Sequence, residues 1–110
     1  MLLILKDENI KIEYALSLKE GQKIWSRKHF PVVLLDNNLP DGSGLELIER
    51  NPPLLMKSKV ILITADGPAS LHNRAEDAGI RYFIMKPFSL KQIRELIKRL
   101  LLENTASGTQ

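Results

Sequence analysis

Hydrophobic and polar residues follow two different periods along this chain, and the change of period separates predicted strands from predicted helices. Three short runs, residues 32–35, 60–63 and 82–85, are almost wholly apolar. They predict strands that are buried on both faces of a sheet. Ile10, Ile12 and Tyr14 alternate with charged residues, which indicates a further strand with one polar face.

Predicted helices lie between these strands, and three of them open with a capping box. In this motif a hydroxyl residue is followed three positions later by Glu or Gln, and both side chains bind free backbone N–H groups. The pairs are Ser17 with Glu20, Ser43 with Glu46, and Ser89 with Gln92. Gly79 is expected to close the helix before the third apolar strand. This alternation predicts the α/β class, with a parallel sheet and helices on both faces.

Each of the three apolar strands ends at a polar side chain, namely Asp36, Thr64 and Lys86. The carboxyl ends of parallel strands share one edge of a sheet, so we expect these side chains to lie together. A carboxylate can attack a phosphoryl donor and form an acyl phosphate. A hydroxyl and an ammonium group can bind the phosphoryl oxygens. Each residue alone has an ordinary structural explanation, but the three together predict phosphoryl transfer to Asp36.

The composition is typical of a soluble globular protein. The 110 residues are 44% hydrophobic and 26% charged and include no cysteine, which excludes disulfides and thiolate metal sites within this sequence. We expect one domain over residues 1–103 and a tail or linker over 104–110. The apolar opening segment is too short to span a membrane, so we expect a cytoplasmic protein. The basic residues between 81 and 99 favour a solvated helix face over nucleic-acid binding.

Three segments together resemble the receiver domains of two-component response regulators. They are Leu-Leu-Asp-Asn-Asn-Leu-Pro-Asp-Gly-Ser-Gly over 34–44, Ile-Thr-Ala over 63–65 and Met-Lys-Pro-Phe over 85–88. The resemblance extends from about residue 9 to residue 102. It implies a flavodoxin-like (CheY-like) fold and a signalling domain rather than an enzyme, with at most autophosphatase activity.

The resemblance also implies a role for individual residues. Asp36 would be the phospho-acceptor, Thr64 the switch hydroxyl, and Lys86 the phosphate-binding lysine before a cis peptide bond. Phe83 would be the aromatic residue that turns inward on activation. Asp36 and the backbone carbonyl of Asn38 would bind Mg²⁺. A histidine kinase would supply the phosphoryl group, and residues 69–102 would meet an output domain or partner protein.

The N-terminal segment departs from the family pattern, in which a first strand ends in an acidic pair and a long helix follows. Only 35 residues precede Asp36, too few for that pattern. In the interpretation that we favour, residues 1–8 are the end of the first helix, Asn9 is its cap, and the first strand is absent. In the alternative, residues 2–9 are the first strand and its acidic loop, and the first helix is deleted. Parallel neighbours need a longer crossover, so these segments could form only an antiparallel hairpin.

Either interpretation weakens the expected magnesium site, because Mg²⁺ is usually held through one or two carboxylates. Asp7 is the remaining candidate ligand, and Glu8 is a weaker one. We therefore expect phosphorylation to be impaired. A pseudo-receiver, which signals through protein contacts without phosphorylation, is the alternative function. In the interpretation that we favour, the loss of the first strand would also leave exposed sheet edges, which would favour a homodimer.

Overall fold

The computed structural model describes residues 1–6, 10–65 and 69–109, and five strands form its centre. They are β1 (Leu2–Lys6), β2 (Ile10–Tyr14), β3 (Val32–Asp36), β4 (Lys59–Thr64) and β5 (Tyr82–Met85). Within the sheet the strand order is β2-β1-β3-β4-β5. The last three strands are parallel neighbours, as predicted.

Within the described part of the chain, five helices surround the sheet. They are α1 (Leu18–Trp25), α2 (Gly44–Arg50), α3 (Leu54–Lys57), α4 (Ala69–Asp77) and α5 (Leu90–Thr109). The short α3 was not predicted, and it follows directly on the proline pair at 52–53. The backbone of α5 is helical beyond residue 103, where we expect the domain to end. None of the helices in the described ranges is long and apolar enough to cross a membrane.

The first strand runs in the opposite direction from the parallel part of the sheet. Its residues pair antiparallel both with β2 and with β3, with Leu2 opposite Leu34 and Ile4 opposite Val32. Our favoured interpretation was therefore wrong, because residues 2–6 are a strand and not the end of a helix. The alternative correctly gave the strand and the antiparallel hairpin. Asn9 lies outside the described residues.

The reversal of β1 follows from the short link between the hairpin strands. Lys6 pairs with Ile10, so no crossover helix can separate the strands. A parallel neighbour needs about a dozen connecting residues, whereas an antiparallel one needs only a turn. The chain thus keeps an interior strand between β2 and β3, but with its direction reversed.

Two apolar clusters hold the helices against opposite faces of the sheet. On one face α1, α2 and α4 pack over Leu3, Val33 and Leu62, and on the other α5 packs over Ile4, Leu34 and Ile61. The three predicted capping boxes are confirmed as helix starts, since each serine hydroxyl accepts a hydrogen bond from the backbone N–H three residues later. The predicted α/β class, with helices on both faces, is confirmed.

Candidate functional site

Three polar residues reach the same edge of the sheet because β3, β4 and β5 are parallel and in register. Asp36 pairs with Ile63, so Thr64 follows directly beside it. Thr64 pairs in turn with Met85, and the next residue, Lys86, donates its backbone N–H to the Thr64 carbonyl at 2.8 Å. The predicted grouping at the carboxyl edge is therefore present.

The Asp36 carboxylate and the Lys86 ammonium group form an ion pair at this edge. Lys86 Nζ lies 2.8 Å from Asp36 Oδ2. The other carboxylate oxygen, Oδ1, accepts a hydrogen bond of 2.9 Å from the backbone N–H of Asn38. The Asp36 side chain is 23% exposed, so a small phosphoryl donor can reach it. The peptide bond between Lys86 and Pro87 is cis.

Asn37 ties the loop after Asp36 to the start of α2. Its backbone N–H donates to the Ile63 carbonyl at 2.9 Å, which continues the β3–β4 pairing beyond Asp36. Its side-chain oxygen accepts hydrogen bonds from the Ser43 hydroxyl at 2.8 Å and from the Leu45 N–H at 3.0 Å. These contacts fix the position of the Asp36 carboxylate relative to a helix N-terminus.

Gly44 is required by the close approach of α2 to β3. A Cβ atom at this position would lie 2.7 Å from the Asp36 backbone oxygen and 2.7 Å from Leu35 Cγ. Both distances are well inside van der Waals contact, so any side chain would push the helix away from the acceptor strand. The structure thus supplies a reason for the glycine at the end of the 34–44 segment.

Thr64 and Phe83 line the same cavity, between α4 and the ends of β4 and β5. The Phe83 ring stacks on the His72 imidazole of α4, with the ring centroids 4.2 Å apart. His72 also pairs with Glu76, one turn further along α4, at 2.6 Å. The predicted switch hydroxyl and the predicted aromatic residue are therefore neighbours, and α4 closes the space between them.

The reversed β1 brings its amino end, not its carboxyl end, to the Asp36 edge. Leu2 lies opposite Leu34, only two residues before Asp36. At the Met1 amino group, burial lowers the pKa, and the nearby Asp36 charge acts against this shift. Lys6, at the carboxyl end of β1, pairs with Ile10, and both residues lie at the strand ends that are farthest from Asp36. Asp7 and Glu8 lie outside the described residues.

The described residues at this edge do not make up a magnesium site. No group of three or more His, Cys, Asp or Glu side chains that could hold a metal ion occurs among them. Asp36 brings one carboxylate, and its two oxygens already contact Lys86 and the Asn38 N–H. The contact between Asn38 and the Asp36 carboxylate is made by the Asn38 backbone N–H. The Lys86 ammonium group beside the carboxylate attracts an anionic phosphoryl group and would repel a metal cation.

Asn37, His72 and Asp41 were not singled out from the sequence. Asp41 Oδ1 and Oδ2 accept hydrogen bonds from the Leu18 and Lys19 N–H groups at 2.7 and 3.0 Å, so it caps α1 from the acceptor loop. These hydrogen bonds lower the pKa of the Asp41 carboxyl group. Asp41 is more than twenty residues from Leu18 and Lys19 in the chain, so no local pattern could have revealed the contact.

Comparison with known proteins agrees with this geometry. The sequence model of the response regulator receiver domain family matches residues 1–98. The chain is 36% identical over 87 residues to the response regulator protein PilR of Pseudomonas aeruginosa, covering 79% of this chain and 20% of that protein. It is 30% identical to a probable chemotaxis protein CheY of Rhizobium etli, covering 73% of this chain and 64% of that protein.

The structural similarity extends over most of the chain. A CheY-like response regulator receiver domain protein from Methanospirillum hungatei superimposes with a TM-score of 0.78 at 30% identity, covering 86% of this chain and 76% of that one. The chain spans between about a fifth and a half of the length of the first curated relatives that it matches.

Proposed function

This chain belongs to the response regulator receiver family, and on that premise we propose that it accepts a phosphoryl group on Asp36 from a histidine kinase. Receiver domains are signalling domains of two-component systems rather than enzymes. The observation that carries the proposal is the Asp36–Lys86 ion pair at the carboxyl edge of the parallel strands, with Thr64 beside it.

The proposed step transfers a phosphoryl group between two nucleophiles. An Asp36 carboxylate oxygen attacks the phosphorus atom, the new O–P bond forms, and the bond from phosphorus to the donor breaks. The electron pair of that bond leaves with the donor, which is an imidazole nitrogen in a phosphohistidine. The product on Asp36 is a mixed acyl phosphate. We assign no other covalent role to the described residues.

Lys86 and Thr64 are the groups that would stabilise the transferred phosphoryl oxygens. A phosphoryl group and a carboxylate are both anionic and repel each other as they approach. The Lys86 ammonium group, at 2.8 Å from Asp36, offsets this repulsion. The Thr64 hydroxyl would donate a hydrogen bond to one phosphoryl oxygen, and this contact would draw Thr64 away from the cavity that it shares with Phe83.

We further propose that phosphorylation is impaired, since β1 delivers no acidic pair to this edge among the described residues. Receiver domains of this family generally bind Mg²⁺. Here the remaining ligands would be Asp36 and the Asn38 carbonyl, with Asp7 as a further candidate. Binding of Mg²⁺ through so few carboxylates would be weak.

The proposed output surface comprises α4, β5 and α5, within residues 69–102. Met85 and Leu90 on this surface are large hydrophobic side chains that remain exposed. Phe83 and His72 connect it to Thr64 through the shared cavity. A change at Asp36 would therefore reach this surface through α4. The partner would be an output domain or a separate protein.

The alternative that we considered, a pseudo-receiver that acts without phosphorylation, is not supported by the comparisons. The named relatives are response regulators and a chemotaxis protein. The acceptor, the hydroxyl and the lysine are all present here.

The experiment that tests the proposal is incubation with acetyl phosphate, followed by intact-mass measurement. We expect a phosphoryl adduct on the chain and none on Asp36→Asn. Asp77→Asn, which changes an exposed aspartate at the end of α4, is the matched control and should keep the adduct. Parallel reactions with Mg²⁺, with a chelator, and with Asp7→Asn test the proposed impairment. No adduct under any condition, from folded protein, would refute the assignment of Asp36.

A further inference from the structure

The strand β2 presents an uncovered apolar face at one edge of the sheet. Ile10, Ile12 and Tyr14 are 50%, 47% and 68% exposed, although all three belong to the same face of one strand. The partners of Ile12 and Tyr14 across the hairpin, Ile4 and Leu2, belong to the cluster that α5 covers. The apolar layer under α5 therefore continues outward onto β2, where no described helix packs over it.

The backbone of β2 is also unpaired on its outer side within the described part of the chain, because β2 is the terminal strand of the sheet. Ala15 exchanges two hydrogen bonds with Met1, at 3.0 and 3.1 Å. Backbone groups alternate in direction along an antiparallel strand. Glu13 and Lys11 therefore face β1 as well, and the backbone N–H and C=O groups of Ile10, Ile12 and Tyr14 point outward.

We infer that β2 is an interface with a second copy of this chain, in which the two β2 strands pair antiparallel about a twofold axis through Ile12. In this register Ile12 lies opposite its own copy, and Ile10 lies opposite Tyr14 of the other copy. All three outward-facing residues then form hydrogen-bonded pairs across the axis. The two five-stranded sheets become one continuous sheet of ten strands.

In this register each charged residue of β2 lies opposite a residue of the opposite charge in the other copy. A shift of the register by one residue would remove this pairing. Lys11 lies opposite Glu13 of the other copy, and Glu13 lies opposite Lys11. The twofold axis repeats each contact, as an isologous interface requires. Within one copy Glu13 pairs with Lys28 at 3.5 Å, but that pair is solvent-exposed and competes weakly.

The opposite edge of the sheet is less suited to such pairing. β5 has only four residues, and Pro87, which has no backbone N–H, follows two residues after it. β2 has five residues, contains neither proline nor glycine, and carries the apolar stripe. Short edge strands and nearby prolines are two of the usual protections against edge pairing, and β2 has neither. Charged side chains are a third, but Lys11 and Glu13 of β2 have opposite charges and lie opposite each other in the proposed register.

Single-cysteine variants test the register directly, since the chain has no cysteine of its own. Across the proposed axis the two Ile12 Cα atoms would lie about 5.5 Å apart, within the range of a disulfide. The two Ile10 Cα atoms would lie roughly 13 Å apart along the strands, which is beyond that range. We expect Ile12→Cys to form a covalent dimer on mild oxidation and Ile10→Cys to remain uncoupled. Equal coupling of the two variants would overturn the proposed register.

Sedimentation over a range of concentrations tests the interface without a new covalent bond. The unmodified chain should move from the monomer mass towards twice that mass. Lys11→Glu should raise the dimer dissociation constant by about tenfold or more, because it places like charges opposite each other twice. Glu13→Lys should act in the same way, and the double variant should restore dimerisation. Met56→Lys, an exposed apolar residue on α3, is the control and should change nothing.

The double variant separates a specific interface from general adhesion. Failure of the combined Lys11→Glu and Glu13→Lys change to restore the dimer would overturn the charge pairing. A monomer at every concentration would overturn the interface itself and would leave the β2 face to a different partner.

Discussion

The two halves of the sheet differ in how their strands are connected. Because of this difference, the parallel half carries the proposed acceptor residues, whereas the hairpin half contributes to the core. In the half formed by β3, β4 and β5, helices join parallel strands, and the strand ends bring Asp36, Thr64 and Lys86 to one edge. In the hairpin of β1 and β2, Lys6 pairs with Ile10, which leaves too few residues for a connecting helix, and β1 runs the other way. The carboxyl end of β1 therefore lies at the edge of the sheet opposite to that of Asp36.

The core of the sheet tolerates this reversal because apolar packing does not depend on strand direction. Leu3 and Ile4 of the interior strand β1 are both fully buried, one on each face of the sheet. A carboxylate at the end of a strand depends entirely on direction, since it must lie at the edge where the acceptor is. The hairpin can therefore complete the core without completing the acceptor site.

The largest expected effect concerns the packing of β1, an interior strand of the sheet. Ile4→Ala removes a fully buried side chain beneath α5, and we expect it to lower the free energy of unfolding by about 2–5 kcal/mol. Ile12, directly opposite on β2, is half exposed, so Ile12→Ala should lower it by about 1 kcal/mol or less. Urea denaturation of both variants measures the difference. Similar losses for the two would show that β1 is not a core strand.

The next effect concerns the chemistry of the parallel half. Lys86→Ala removes the cation beside Asp36, and we expect it to slow adduct formation with acetyl phosphate by about a hundredfold. Lys98→Ala, which removes an exposed lysine on α5, should leave the rate unchanged. Time-resolved intact mass gives both rates. An unchanged rate for Lys86→Ala would mean that Lys86 does not stabilise the phosphoryl oxygens.

Most of the parallel half could be predicted from the sequence, because its signals are local. Apolar runs of strand length, capping boxes and Gly79 each fix an element through its own residues. Gly79 adopts a φ of +100° after α4, as a glycine that closes a helix does. The shared edge then followed from the parallel arrangement alone.

The direction of β1 could not be obtained in the same way. An apolar run such as residues 2–5 fits a buried strand or the end of a buried helix equally well. The deciding quantity was the length of the link to Ile10, which permits a hairpin and excludes a crossover. The Asp41 contact with α1 was equally hidden, since it joins residues that are distant in the chain.

A smaller effect would show how closely the acceptor depends on packing. Gly44→Ala places a Cβ atom against the Asp36 backbone oxygen, and we expect it to lower the free energy of unfolding by about 1–3 kcal/mol. Ser17→Ala, at the start of α1, removes a helix cap without adding an atom and should lower it by about 1 kcal/mol. Only the glycine substitution should also displace Asp36 and slow adduct formation. Equal phosphorylation rates in the two variants would contradict this distinction.

The smallest expected effect is the pH dependence of the free energy of unfolding that Asp41 causes. This residue lies in the loop after β3 and accepts hydrogen bonds from the start of α1, which follows the hairpin. Its carboxyl pKa is lower in the folded chain, because the carboxylate accepts the Leu18 and Lys19 N–H groups. The unfolded chain then binds more protons, so this stabilisation is complete above the unfolded pKa and is lost as the pH falls through the folded pKa. Asp41→Asn should reduce the loss of stability on acidification, as seen in urea midpoints at neutral and acidic pH. The Asp41→Asn variant should keep part of the pH dependence, because a hydrogen bond from Arg74 also lowers the pKa of the Glu49 carboxyl group. Asp77→Asn is the control, and an equal response from it would show that Asp41 has no special role in joining the two halves.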